Sequence, residues 1–160
     1  MKIKSVKLEF PEGINIILGQ SHFIKTVEDI YEIMVTSVPG IKFGLAFSEA
    51  SGPRLIRKDG TDAKLIKIAV KNLQNLAAGH SFIILMKDAF PINFLNNLKN
   101  CSEIVNIFCA TANPVEVILA ETEQGCGILG VIDGFSPKGI ESKKDIEKRK
   151  EFLKMIGYKR

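Results

Sequence analysis

The sequence predicts a single α/β domain with one mixed β-sheet, arranged as a three-layer α/β/α sandwich. The chain has 160 residues, which is the usual size of one domain. Segments with the two-residue period of strands alternate with segments that have the 3.6-residue period of helices. Because helices are interleaved with strands, the sheet is expected to be covered on both faces.

The first half of the chain predicts four strands and two helices. The first helix follows Thr26, which forms a capping box with Asp29, and it ends before the Pro-Gly pair at 39–40. The second helix follows Thr61 as its cap. Strands are expected where apolar residues alternate or run together, at 6–10, 14–18, 41–47 and 55–57.

The second half predicts four strands and two more helices, in the overall order ββα-ββα-βα-βββ-α. Pro91 begins a short helix, and Ser142 with Asp145 forms the capping box of the last one. The final three strands have connections too short for helical crossovers, so part of the sheet is expected to be antiparallel. The four strands are predicted at 81–87, 104–110, 115–121 and 128–132.

Composition and charge predict a cytoplasmic protein that does not enter a membrane. The three cysteines are odd in number and lack C-x-x-C spacing, as is typical of reduced thiols. Apolar runs such as 82–86 are far shorter than a membrane-spanning helix, and lysines interrupt the N-terminal segment as they would not in a signal peptide. Residues 138–160 hold nine Lys/Arg against four Asp/Glu, whereas residues 1–137 hold thirteen against fourteen.

The segment Gly19-Gln20-Ser21-His22 is the first candidate site, because it joins a strand to a helix. Ligands in open α/β sheets bind where strands end, and a helix N-terminus attracts phosphate. We expect Gln20, Ser21 and Lys25 to bind ligand and His22 to act as a general base or as a nucleophile that becomes phosphohistidine. The alternative is a structural loop, since no Walker motif is present.

The loop at 48–54 is the second candidate. Glu49 is expected to position a hydroxyl or a magnesium ion, while Ser51 and Arg54 bind ribose and phosphate. The alternative is an ordinary polar turn. His80, beside the predicted end of a helix, is interpreted as contacting that helix's last carbonyls. The Gly125-Cys126-Gly127 turn is not expected to take part.

The third candidate group lies between and after the last strands. Thr111 and Asn113 are expected to bind ligand, with the Asn113 amide facing a purine edge. Asp133, at the end of a strand, is a candidate general base or magnesium ligand. Each also suits a plain turn. Polar segments scattered over five loops predict that the site is completed across subunits of a homo-oligomer.

Together these segments resemble the adenosine-specific kinase family, small proteins found in archaea and some bacteria. The resemblance runs from about Phe10 to Tyr158 and rests on GQSHFIKTVEDIYE, FGLAFSEASGPRLIR, GHSFIILMKDAFPINFLNNLK, ATANPVEVILAE and GILGVIDGF. It implies recognition of adenosine or AMP and an α/β fold unrelated to ribokinase-type sugar kinases.

Three hypotheses of function follow. The first is phosphoryl transfer to or from an adenosine nucleoside or nucleotide, with the phosphoryl donor open. The second is a non-enzymatic AMP sensor that uses the same pocket. The third, nucleic-acid binding through the basic C-terminal helix, is not favoured, because charges on such a helix mostly form a solvated face.

Overall fold

The computed structural model describes all 160 residues and contains eight strands and four α-helices in the predicted order. None of the helices is both long and apolar enough to cross a bilayer. The strands are β1 (Lys2–Lys7), β2 (Ile14–Ser21), β3 (Lys42–Ser48), β4 (Ile56–Gly60), β5 (Ser81–Lys87), β6 (Ile104–Thr111), β7 (Val115–Glu121) and β8 (Cys126–Asp133). The helices are α1 (Thr26–Ser37), α2 (Ala63–Leu76), α3 (Leu95–Lys99) and α4 (Lys143–Met155).

The predicted single mixed sheet is wrong, because the strands form two sheets that are antiparallel throughout. The larger has the order β4-β3-β5-β2-β6 and the smaller the order β1-β7-β8. Each helical crossover does join two strands of the same direction, as the alternation of helices and strands predicts. A third strand of opposite direction then enters between them: β5 lies between β2 and β3, for example.

The two faces of the larger sheet are covered differently, so the predicted α/β/α sandwich is not confirmed. Helices α1 and α3 pack on one face, around fully buried side chains such as Ile30, Phe43 and Phe94. On the other face α2 shares the layer with the smaller sheet, and Leu73 and Val117 belong to the same buried cluster. The fold is therefore mixed α/β, with one covering layer made of helices and the other of a helix and a sheet.

Two of the predicted helix caps are wrong in detail. Lys25 is the N-cap of α1, and Thr26 lies inside the first turn, while Asp29 pairs with Lys25 and makes no capping box. Helix α2 is capped by Asp62, whose carboxylate accepts from two backbone N–H groups. The predicted cap, Thr61, does not take this role because its hydroxyl donates to the carbonyl of Ile41, just before β3. The predicted capping box of α4 is present.

Candidate functional site

Strands β2 and β3 end at the same edge of the larger sheet at which β4, β5 and β6 begin. His80 ties this edge together, because its N–H donates to the Ser48 carbonyl at 2.8 Å and its carbonyl accepts from the Ser21 N–H at 2.9 Å. It does so with a φ of 60°, a left-handed conformation that is uncommon for a residue with a side chain. The ends of β2 and β3 are thus joined through the residue that precedes β5.

Both histidines of the chain lie at this edge. His22 directly follows β2 and is exposed, with its ring 6.2 Å from that of Phe23. His80 is half-buried, and its ring stacks parallel to that of Phe47 at 5.9 Å. The sequence suggests only a local helix-end role for His80, because its bond to Ser21, the neighbour of His22, depends on the pairing of distant strands.

Ser21 is the most unusual polar residue at this edge. It is only 2% exposed, and its hydroxyl oxygen has no hydrogen-bond partner. A buried polar group without a partner costs about 1–3 kcal/mol, and such groups are rare enough to need an explanation. The adjacent Gln20 is exposed. Ser21 therefore has an unused, buried donor in the residue that directly precedes the exposed His22.

A cleft of about 980 Å³ opens beside this edge, within the usual size range of ligand pockets. Its walls are the β3–β4 loop, the end of α2 and the β7–β8 hairpin. The hairpin was not expected to take part, and only its Gly-rich tip could have suggested that it approaches another element. Polar groups in the lining come from Ser48, Glu49, Arg54, Gln74, Thr122 and Gln124, and Cys126 is also present.

Glu49 organises the β3–β4 loop. Its two carboxylate oxygens accept from the Leu55 N–H at 2.8 Å and from Arg57 at 2.7 Å. The Leu55 N–H, followed by the Arg57 guanidinium, holds the pKa of this carboxyl below its usual value. Arg57 is not among the residues expected from the sequence, because it lies on β4, after the polar loop. Because Glu49 is ionised and already paired, the structure gives it a clear loop-holding role.

Arg54 lies on the wall of the cleft with its side chain exposed and in no ion pair. Its backbone is left-handed, with a φ of 53°, and its N–H donates to the Ser51 carbonyl. Ser51 belongs to the same turn but not to the lining. The Arg54 guanidinium is therefore available to an anion.

Lys25 is already paired with carboxylates. Its ammonium lies 2.8 Å from Asp29 and 3.3 Å from Glu103. The Cys101 thiol donates to Glu103 at 3.0 Å and, together with these neighbours, lowers the Glu103 pKa to about 2. Glu103, buried at the start of β6, was not anticipated, since its pairing is with distant residues. A phosphate at Lys25 would have to compete with two carboxylates.

The third candidate group lies at the opposite end of β6. Asn113 donates from its amide to Asp133 at 3.3 Å and from its backbone to the Thr111 hydroxyl at 3.0 Å. Thr111 pairs with Ile16 at one end of β2, whereas Ile104 pairs with Ser21 at the other. An eight-residue strand is about 20 Å long or slightly more. Within one chain, Thr111, Asn113 and Asp133 are therefore too far from His22 to share a site with it.

Comparisons with known proteins identify the relatives of this chain. A family model described as adenosine specific kinase matches residues 6–159. The crystal structure of the PH1918 protein from Pyrococcus horikoshii OT3 is 44% identical, covers 99% of this chain and 98% of its own, and superposes with a TM-score of 0.95. Comparison with curated proteins gave no match.

Proposed function

Because this chain belongs to the adenosine-specific kinase family, we propose that it binds adenosine or AMP in the cleft and transfers a phosphoryl group at the adjoining sheet edge. The observation that supports this location is the position of the cleft at the end of the larger sheet: its lining includes Gly79 and Ser48, whose carbonyl accepts from the His80 N–H. Neither histidine is part of the lining, and His22 is joined to this sheet end through the backbone bond between the preceding Ser21 and His80. Perturbed and unpaired polar groups beside a cleft favour function over structure.

In the proposed reaction His22 is the nucleophile. An uncharged imidazole nitrogen attacks the terminal phosphorus of a phosphoanhydride donor, so that an N–P bond forms and a P–O bond to the leaving nucleoside diphosphate breaks. A hydroxyl of adenosine then attacks phosphorus, loses its proton and releases His22. Arg54 on the cleft wall is suited to neutralise phosphate charge. The unpaired Ser21 hydroxyl is closed off from solvent in this structure and would have to be uncovered on binding to donate to a phosphoryl oxygen. His22 acting as a general base is the other form of this proposal.

Magnesium is proposed as a companion of the donor phosphates, without a protein cage of its own. Magnesium is commonly held by one or two carboxylates together with substrate phosphates. Glu49 is the carboxylate on the cleft wall, and Asp133 lies with Asn113 at the far end of β6. Of these two, we assign any magnesium contact to Glu49.

An AMP sensor that uses the same cleft is the second candidate. It is favoured by the pairing of Glu49 with Arg57 and of Lys25 with Asp29 and Glu103, which leaves few free charges for catalysis. Incubation with labelled ATP and adenosine separates the two. Labelled AMP or labelled protein supports phosphoryl transfer, whereas nucleotide binding without any transfer of label supports the sensor.

The ligand class is tested by isothermal titration with adenosine, AMP, GMP and CMP. We expect adenosine and AMP to bind at least tenfold more tightly than the other two, because a pocket that hydrogen-bonds one base leaves polar groups unpaired with another. Equal heats for the four ligands, or none, would contradict the proposal.

Arg54→Ala is expected to weaken AMP binding more than adenosine binding, since only AMP offers a phosphate to the free guanidinium. The loss of a charge-assisted hydrogen bond corresponds to about 1.5–3 kcal/mol, or at least a tenfold rise in the Kd for AMP. Lys58→Ala is the control, because Lys58 is an exposed cation on β4 outside the cleft lining. If Arg54→Ala weakens both ligands equally, Arg54 does not contact the phosphate.

A further inference from the structure

The C-terminal segment 135–160, here called the arm, has almost no support from its own chain. No residue of α4 is buried, and no hydrogen bond or ion pair joins the arm to residues 1–134. Its polar contacts are internal, such as the pair between Arg149 and Glu141. Because an isolated helix of this length is marginal in water, a stable α4 requires another surface.

The arm nevertheless has the apolar residues of an interface. Phe135 is 87% exposed and Ile140 is 99% exposed, and both precede α4. Phe152 and Met155 add exposed apolar surface at the end of the helix. Single exposed apolar residues are ordinary, but an accumulation along one unsupported segment indicates an interaction surface.

A complementary surface lies on the outer face of the smaller sheet. Ile3 on β1 and Leu129 and Ile132 on β8 are each more than half exposed. Gly130 has nothing near its missing side chain, so this face is flat between them. Strand β8 leads directly into the arm, and the exposed apolar strip of the sheet therefore continues into Phe135.

We propose that the arm packs on the outer face of the smaller sheet of a second copy of this chain. Both surfaces are exposed in the single chain, so the arm does not cover its own sheet. Charge favours a second copy's body over its arm, because residues 138–160 have an excess of basic residues and residues 1–137 a slight excess of acidic ones. The close structural match to the Pyrococcus relative extends through the arm, which indicates a defined position for it. If two copies exchanged arms across a two-fold axis, the exposed apolar residues of both arms and of both smaller sheets would be buried.

The first test is the solution mass of full-length protein by light scattering at micromolar concentration. We expect the wild type to exceed the 17.7 kDa of one chain and Phe135→Ser/Ile140→Ser to shift to that mass, while its circular dichroism spectrum loses no more than the helical signal of the 13-residue α4. The matched control is Phe90→Ser/Ile92→Ser, which alters two exposed apolar residues elsewhere. It should leave the mass unchanged. A monomeric wild type would overturn the proposal, as would an arm variant with the wild-type mass.

The second test locates the contact. A photoreactive benzoylphenylalanine replaces Ile140 in the full-length chain, which is mixed with ¹⁵N-labelled chains and irradiated. Mass spectrometry should find this position cross-linked to β1 or β8 peptides of a chain with the other isotope. Cross-links only within one chain, or only between two arms, would contradict the proposed surface. Binding of anionic vesicles or RNA by a monomeric protein would assign the arm to those partners instead.

Discussion

His22→Ala is expected to abolish phosphoryl transfer, together with any phosphorylated form of the protein. If His22 is the nucleophile, alanine offers no atom to accept the phosphoryl group. If it is a general base, the loss should be about 10²- to 10⁴-fold in rate. The imidazole is exposed and makes no hydrogen bond, so the fold should survive. The measurement is transfer of ³²P from labelled ATP to adenosine and to the protein, followed by an unfolding curve.

His80→Asn is the control for this experiment. Asparagine tolerates the left-handed backbone at this position, so the bonds to Ser21 and Ser48 can be kept while the imidazole is lost. We expect this variant to retain much more activity than His22→Ala. Wild-type turnover in His22→Ala, or loss of activity only in the His80 variant, would mean that the roles have been assigned to the wrong histidine.

Gly44→Ala is expected to have the largest effect on stability. Gly44 lies in β3 where the strand packs against the backbone of α2, and a Cβ there would run into the main chain of Leu65 and Ile66. A helix backbone cannot yield as a flexible side chain can. We therefore expect the free energy of unfolding to fall by about 3–5 kcal/mol, or no folded protein to accumulate. Urea denaturation, read as a shift in midpoint at constant slope, measures the change.

Gly130→Ala is the matched control, because this glycine also lies in a strand but has open space where a Cβ would stand. Alanine there should change the free energy of unfolding by less than about 1 kcal/mol, since it removes some backbone freedom from the unfolded chain. Similar midpoints for the two variants would show that α2 can move away from β3, and that the contact at Gly44 does not limit the packing.

The location of the candidate site was partly predictable. The sequence pointed to the loops after β2 and β3 because strand ends, glycines and polar residues are local signals, and both loops lie at one edge of the larger sheet. The sequence could not indicate that Glu49 forms an ion pair with Arg57, or Lys25 with Glu103, since each pair joins separate elements. Nor could the sequence indicate that Asp133 and His22 lie far apart. Both stand at the ends of strands, but Asp133 lies with Asn113 near one end of β6 and His22 lies near the other.

The sequence by itself determined the order of strands and helices, and the family resemblance that the family model confirms over residues 6–159. Hydrophobic periodicity and turn residues are properties of neighbouring residues, so a linear reading detects them. Only the tertiary structure decided the strand order, the two antiparallel sheets and the backbone bond that joins His80 to Ser21, the neighbour of His22. Strand neighbours are chosen by the burial of whole faces: β5 enters between β2 and β3 because its residues are buried on both sides there. That choice depends on contacts far apart in the chain, and no local pattern records it.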